Sequence, residues 1–194
     1  MKRTIIFSII ISQLLFYICL PVFLQLFIYL HPIVMIFVWI CMTALVIFLT
    51  FLIRNQTLAI PNWLLNLLMV GYSICLLVLL FFRPNDQVYD NWNWIPFSTI
   101  GFYLAGNATP LVAFYNLAAN IVLFIPFGLI PMMAGKSNAM RFLIPLVFIS
   151  LIEFCQFITQ RGSLDIDDLI LNMLGVFVGY MLIPIFRRVV IIRN

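Results

Sequence analysis

Four of the chain's six acidic residues, Glu153, Asp165, Asp167 and Asp168, stand in one stretch together with amides and a single guanidinium. Carboxylates accept hydrogen bonds, hold cations, or move protons as general acid or base when their surroundings tune them to it. Ser150, Glu153, Gln156 and Gln160 are three or four residues apart, which on a helix puts them within one arc of about 120°. Asp165, Asp168, Asn172, Gly175 and Gly179 repeat the spacing, sharing an arc of about 80° if their helix begins near Asp165. Earlier in the chain, Asn116 and Asn120 lie one helical turn apart.

Each of these groups also has a plainer use. Asp165, Asp167 and Asp168 stand where a helix N-terminus welcomes negative charge, and capping alone accounts for one or two of them. Gly175-x-x-x-Gly179 lets another helix approach closely, and an asparagine bonding across helices contributes about 0.6 to 2 kcal/mol on structural grounds alone. Glu153 is harder to assign to scaffold. It is the acid that falls inside an apolar run, and a charge at the bilayer centre costs roughly 2.5 to 3.5 kcal/mol even on lenient insertion scales. A partner or a water-filled pocket is therefore expected for it.

The elements that must position these groups follow from hydropathy. The chain has 194 residues, 65% hydrophobic and 8% charged, with a mean hydropathy of +1.20, beyond what a soluble fold can cover. Crossing a bilayer takes about 20 apolar residues in a helix, and barrel strands would alternate apolar with polar, which this sequence does not do. The spacing predicts an all-α, polytopic transmembrane helical bundle of about six spans: Ile5 to Leu30, Ile33 to Ile53, Trp63 to Phe82, Asn116 to Met133, Phe142 to Thr159 and Leu169 to Phe186. His31-Pro32 is expected to close a tight first hairpin, and Pro21 to kink the first helix. That first span follows Lys2 and Arg3 like a signal peptide, but its apolar run is long and lacks a small-x-small cleavage site, so a retained anchor is expected.

Basic residues set the orientation. With the N- and C-termini cytoplasmic, Lys2, Arg3, Arg54, Lys136, Arg141, Arg187, Arg188 and Arg193 lie inside and only Arg83 and Arg161 outside, as the positive-inside rule requires. The expected organisation is two N-terminal helices (1–62), a four-helix membrane domain (63–186) with an external loop (83–115), and a basic cytoplasmic tail (187–194). Under this topology Asn91, Asn93, Asn116, Asn120, Glu153, Gln156, Gln160, Arg161, Asp165, Asp168 and Asn172 all belong to the outer half. The segment Asn91-Trp-Asn-Trp-Ile-Pro-Phe-Ser suits either an aromatic anchor at the headgroup level or a re-entrant cap over a polar cavity.

Several function classes are disfavoured. The formal charge of +4 describes membrane-flanking anchors and forms no basic stripe for nucleic acid. Cys19, Cys41, Cys75 and Cys155 lie in apolar runs without C-x-x-C spacing or a nearby histidine, so neither a metal nor another cofactor is expected. There is no Gly-x-Ser-x-Gly elbow, and Gly135-Lys136-Ser137 fails as a phosphate loop because Ile130 occupies the place of its first glycine.

In order, Asn91-x4-Pro96-Phe97, Asn116-x3-Asn120-Ile-x-Leu-Phe-Ile-Pro126-x-Gly128, Glu153-x2-Gln156 and Arg161-x3-Asp165-x2-Asp168-x3-Asn172-x2-Gly175-x3-Gly179-Tyr180 resemble the VanZ-like family. The resemblance covers roughly Trp94 to Tyr180. It implies an integral protein of the bacterial cytoplasmic membrane, related to the teicoplanin-resistance factor of glycopeptide-resistant bacteria. It also singles out Asn116, Asn120, Glu153, Gln156, Arg161, Asp165, Asp168 and Asn172, and it supplies no reaction.

Three mechanisms fit these residues. In the first, an outward-facing polar site of Asn91, Asn116, Asn120, Glu153, Gln156, Arg161, Asp165, Asp168 and Asn172 binds a cell-envelope lipid headgroup or a lipoglycopeptide, contributing to low-level teicoplanin-type resistance. In the second, a membrane enzyme acts on an envelope lipid precursor, with Glu153 and Asp168 as general acid and base and Arg161 holding an anionic group. In the third, the protein is a transporter or flippase, with Pro126 and Gly128 interrupting the fourth span. The bilayer is a partner in all three, and oligomeric state is not readable.

Overall fold

The computed structural model describes residues 2–26, 33–82, 92–129 and 138–193. The expected hairpin turn at His31-Pro32, the failed phosphate loop at 135–137 and Asn91 lie outside them. Among the described residues there are seven α-helices, in chain order α1 (Lys2–Leu26), α2 (Ile33–Ile53), α3 (Asn62–Phe81), α4 (Ser98–Leu104), α5 (Pro110–Phe124), α6 (Asn138–Ile158) and α7 (Ile166–Val189). The strands are short: β1 (Leu58–Pro61), β2 (Trp92–Asn93), β3 (Leu164–Asp165) and β4 (Val190–Arg193).

All of the helices except α4 are long and apolar enough to cross a membrane, the fourth span by joining α5 to the 3-10 turn Ile125–Leu129, and this gives the six spans expected. Only 11 to 28% of the residues in their apolar windows are buried. The remaining apolar surface can be reconciled with the hydrophobic effect only if lipid covers it. The chain is therefore an all-α, multi-pass membrane protein in contact with the bilayer.

The fourth span departs from the sequence reading at its start. Helix begins at Pro110, six residues before the expected Asn116, because proline at the first helical position has no amide hydrogen to leave orphaned and carries a preset φ. Asn116 and Asn120 consequently lie well inside α5. Pro126 and Gly128, expected to interrupt this span near its middle, fall in the 3-10 turn that follows α5. There the missing Pro126 amide removes one helical hydrogen bond.

By its internal contacts the chain divides into two compact units, residues 1–84 with 184–194, and residues 85–183. In the first, α1 packs on α2. Thr4, Ser8 and Ser12 form a buried stripe on α1, and the Ser8 and Ser12 hydroxyls donate to the carbonyls of Thr4 and Ile9, each at 2.8 Å. The helix thus satisfies its own polar groups, as hydrocarbon demands. Trp39 Nε1 donates to Gln13 Oε1 at 2.7 Å between α1 and α2. Phe51, Val189 and Val190 form a core packed by Ile5, Phe48 and Phe186, beside the parallel pairing of β1 with β4 in the register Leu58↔Val190 to Pro61↔Arg193. The basic C-terminal segment is accordingly in part a strand.

In the second unit glycines set how closely helices meet. A Cβ on Gly175 would strike the Ile121 carbonyl oxygen, one on Gly179 the Ile125 carbonyl oxygen, and one on Gly128 the Val176 carbonyl oxygen and Gly179 Cα. Backbone therefore touches backbone between α7 and the fourth span, the small-residue packing of helices in membranes. Phe127 lies 5.7 Å from Phe124 and 6.0 Å from Phe148 between ring centroids, bringing α6 onto the same junction. The Tyr180 hydroxyl donates to the Arg141 carbonyl and ties α6 to α7 a second time.

Candidate functional site

The site is built around the start of α7. Asp165 precedes the helix, and its Oδ1 accepts the Asp167 amide at 2.9 Å, the N-cap interaction that satisfies one orphan donor of the first turn. The same Oδ1 accepts from Asn93 Nδ2 at 3.3 Å, and Oδ2 accepts the Thr99 hydroxyl at 2.5 Å. Asn93 Nδ2 also donates to the hydroxyls of Ser98 and Thr99. Two residues of parallel pairing, Trp92↔Leu164 and Asn93↔Asp165, align the segments.

Asp167 is fully buried and caps a different helix. Its Oδ1 accepts the Phe97 amide at 2.6 Å, and its Oδ2 accepts those of Thr99 at 2.8 Å and Ile100 at 3.1 Å. These are orphan donors at the start of α4, where a negative charge also meets the positive end of the peptide dipoles. A seven-residue helix does not persist alone. The Asp167 carboxylate, with Phe97 turned into the left-handed region at φ 66°, is what fixes α4 in place. Capping thus explains both Asp165 and Asp167, and residues 92–104 are fastened to the start of α7.

Two further acids pair with amides from other helices. Asn120 Nδ2 donates to Asp168 Oδ1 at 2.5 Å, so α5 and α7 meet through a charge-assisted bond. Asn172 Nδ2 donates to Glu153 Oε1 at 3.0 Å, with both residues buried, and this is the partner that the cost of an intramembrane carboxylate called for. Asn172 Oδ1 is buried and has no hydrogen-bond partner among the described residues.

The C-terminus of α6 is closed by the Gln160 amide to the Phe157 carbonyl at 3.1 Å and the Arg161 amide to the Gln156 carbonyl at 2.8 Å. This is a Schellman motif with Gln160 in its left-handed position at φ 54°, a place usually held by glycine. Gln160 therefore lies beyond the helix, which ends at Ile158, and off the helical arc it was expected to share. Ser150, Glu153 and Gln156 stay on α6, Gln156 buried and Ser150 exposed. Gly162 follows the motif, and a Cβ there would stand 3.3 Å from the Gln156 side chain.

Glu153 and Asp165 also border an open groove of about 520 Å³. Its wall is apolar, with Trp94, Val147, Leu151, Phe154 and Leu169, and its polar groups come from Ser150, Glu153 and Asp165. Volumes of 300 to 1,000 Å³ are typical of small-molecule sites.

Glu153 is therefore paired with Asn172 between α6 and α7 and Asp168 with Asn120 between α5 and α7, Asp165 caps the start of α7, and Gln156 is buried on α6. Asn116 donates to the Val112 carbonyl of its own helix at 2.9 Å, and Arg161 contributes its backbone to the end of α6. Asn91 lies outside the described residues. Asp167 and Thr99 belong to the cluster although the sequence reading did not select them. The one signal in the sequence was the crowding of three aspartates into four positions, where helix capping needs only one.

A family profile described as VanZ/LLP1 matches residues 69–187. Protein VanZ of Enterococcus faecium is 31% identical over 120 residues, covering 59% of this chain and 70% of its relative. No solved structure matches the chain significantly. The matched span contains the glycine-packed junction, the groove and every paired carboxylate described above, and the chain belongs to the VanZ/LLP1 family.

Proposed function

We propose that the protein is a binding protein of the bacterial cytoplasmic membrane, oriented with both termini in the cytoplasm. Its polar site faces outward, holds a cell-envelope lipid headgroup or a lipoglycopeptide, and contributes to low-level teicoplanin-type resistance. The residues of the site are Asn116, Asn120, Glu153, Gln156, Arg161, Asp165, Asp168 and Asn172, with Asn91 as a further contributor from the preceding segment.

The observation that supports this reading best is the pairing of Glu153 with Asn172 and of Asp168 with Asn120, with Glu153 also lining an open, mostly apolar groove. Carboxylates and amides together present acceptors and donors of the kind that a polar headgroup needs. The apolar wall suits the chain of a molecule presented from the bilayer.

An alanine scan of the eight residues, read against lipoglycopeptide susceptibility with membrane abundance measured in parallel, tests the proposal. Loss of protection at normal abundance for Asn120, Glu153, Asp168 and Asn172 is expected. Purified protein is expected to gain thermal stability with teicoplanin or an undecaprenyl-linked precursor, and to lose that gain in Asp168→Asn. Unchanged susceptibility across the scan, with no thermal shift from either ligand, refutes it.

A further inference from the structure

We propose that residues 92–104 form an uncharged aromatic anchor in the headgroup layer of the leaflet at the start of α7, with its apolar side chains inserted among the upper acyl carbons. This does not depend on which molecule the polar site takes. It chooses between the two uses, anchor or re-entrant cap, that the sequence leaves open for the segment.

Connectivity and hydrogen bonds fix the level at which the segment lies. Only residues 105–109 separate α4 from the start of α5. Asp165 and Asp167 bond the segment to the start of α7, and Trp92 lies 6.4 Å from Phe157, near the end of α6, between ring centroids. The spans of α5, α6 and α7 cross in alternating directions, so the start of α5, the end of α6 and the start of α7 share one face of the membrane. The segment is held at that face.

Its surface suits neither water nor hydrocarbon alone. Trp92, Trp94, Ile95, Phe97, Phe102 and Leu104 are each at least half exposed, and α4 has no fully buried residue. So many large apolar side chains on a short stretch make a costly patch in water. Yet Ser98, Gly106 and Asn107 are exposed beside them, and polar side chains or irregular backbone at membrane depth need protein or water around them. The headgroup layer meets both demands and is where amphipathic rings settle. The apolar surface also continues onto a span that faces lipid, because α4 packs on α5, whose Leu111 and Phe114 are exposed.

Charge decides what the anchor reads. Residues 92–110 contain no acid and no base, and the Asp165 and Asp167 carboxylates accept the segment's own hydroxyl and amide hydrogens. Attraction to anionic lipid has no group to act on in the segment, and partition of its rings and aliphatic chains is what holds it. Trp94 also borders the groove with Glu153 and Asp165, so the anchor sets one rim of that groove at headgroup level.

The test uses the full chain, with its four native cysteines replaced, in nanodiscs of phosphatidylcholine or of equal parts phosphatidylcholine and phosphatidylglycerol. A nitroxide is attached in turn to Ile95→Cys, Phe102→Cys, Leu104→Cys and Asn107→Cys, all at exposed positions whose side chains take no part in the Asp165 and Asp167 bonds. Collision with oxygen relative to a water-soluble nickel chelate gives the depth of each label. Labels at 95, 102 and 104 are expected about 5 to 10 Å below the phosphates in both lipids, and the label at 107 at the phosphates or above them. Free access of nickel to the three deeper labels overturns the inference, since the patch would then stand in water. A depth near the bilayer centre overturns it in favour of a re-entrant cap, and spin–spin broadening between copies overturns it in favour of an interface with a second chain. Insertion that requires phosphatidylglycerol overturns the uncharged mode of binding. Each of these outcomes can occur whether or not the alanine scan shows loss of protection, so failure of the anchor is distinguishable from failure of the polar site.

Discussion

Replacing Asp167 with asparagine should detach residues 92–104 without unfolding the spans. The carboxylate is fully buried and accepts three backbone amides, from Phe97 on Oδ1 and from Thr99 and Ile100 on Oδ2. Asparagine has the same shape but one acceptor. If its oxygen keeps the Thr99 and Ile100 bonds, its amide nitrogen faces the Phe97 N–H, donor against donor. One bond to a charged group is lost, at about 1.5 to 3 kcal/mol, and a buried donor is left unmatched at about 1 to 3 kcal/mol more. The two surviving bonds also lose their charge assistance. The sum is about 2.5 to 6 kcal/mol, and about 3 kcal/mol alone raises the local opening equilibrium by roughly a hundredfold. Hydrogen exchange of the full chain in nanodiscs reads this directly. Peptides over 93–104 should exchange about a hundredfold faster in Asp167→Asn, while α1 and α2 stay unchanged. Exchange within about threefold of the parent, in a variant that still inserts and melts normally, would show that something other than this carboxylate holds α4.

Three further outcomes follow from the same geometry. Gly175→Ala forces a Cβ into the Ile121 carbonyl and should destabilise by about 1 to 3 kcal/mol, whereas Gly71→Ala in α3 meets nothing within 4 Å and should gain about 0.5 to 1 kcal/mol from helix propensity; thermal melts of both variants in one detergent compare them. Gln160→Gly relieves a left-handed residue that closes α6 and should raise stability by about 1 kcal/mol, a result contradicted by a lower melting temperature. With the four native cysteines removed, Asn107→Cys should react with an impermeant maleimide on intact cells and Arg193→Cys only after permeabilisation; the reverse pattern would invert the proposed orientation.

The six spans were legible because charge-free runs of membrane length admit one spanning solution in a chain without strand alternation. Boundaries were less so. The fourth span was started at an asparagine because its polar residues looked external, yet Pro110 was the stronger signal, a residue pre-shaped for the first helical turn. Gln160 was assigned to a helical face by period alone. Period carries no information about where a helix stops, and α6 stops two residues earlier. The pairing of β1 with β4 was also absent from the reading, because four residues at 58–61 find their partner more than a hundred positions away and parallel pairing leaves no local turn to announce it.

Within the site, residue type told which groups had to be satisfied and left open by what. Glu153 demanded a partner on energetic grounds, and Asn172 answers it from the adjacent helix. Asn116 and Asn120 share a face and a spacing, yet one bonds its own helix and the other reaches Asp168; four residues along the axis decide whether a neighbouring helix is within reach. Asp167 was the hardest to read, since its partners are backbone amides of Phe97, Thr99 and Ile100, which almost any residues at those positions would provide. A side chain that recognises backbone leaves no complementary residue to find in the sequence. Its signature is instead a surplus: three aspartates stand where one cap suffices, and the one at 167 serves a helix that lies 70 residues upstream of it.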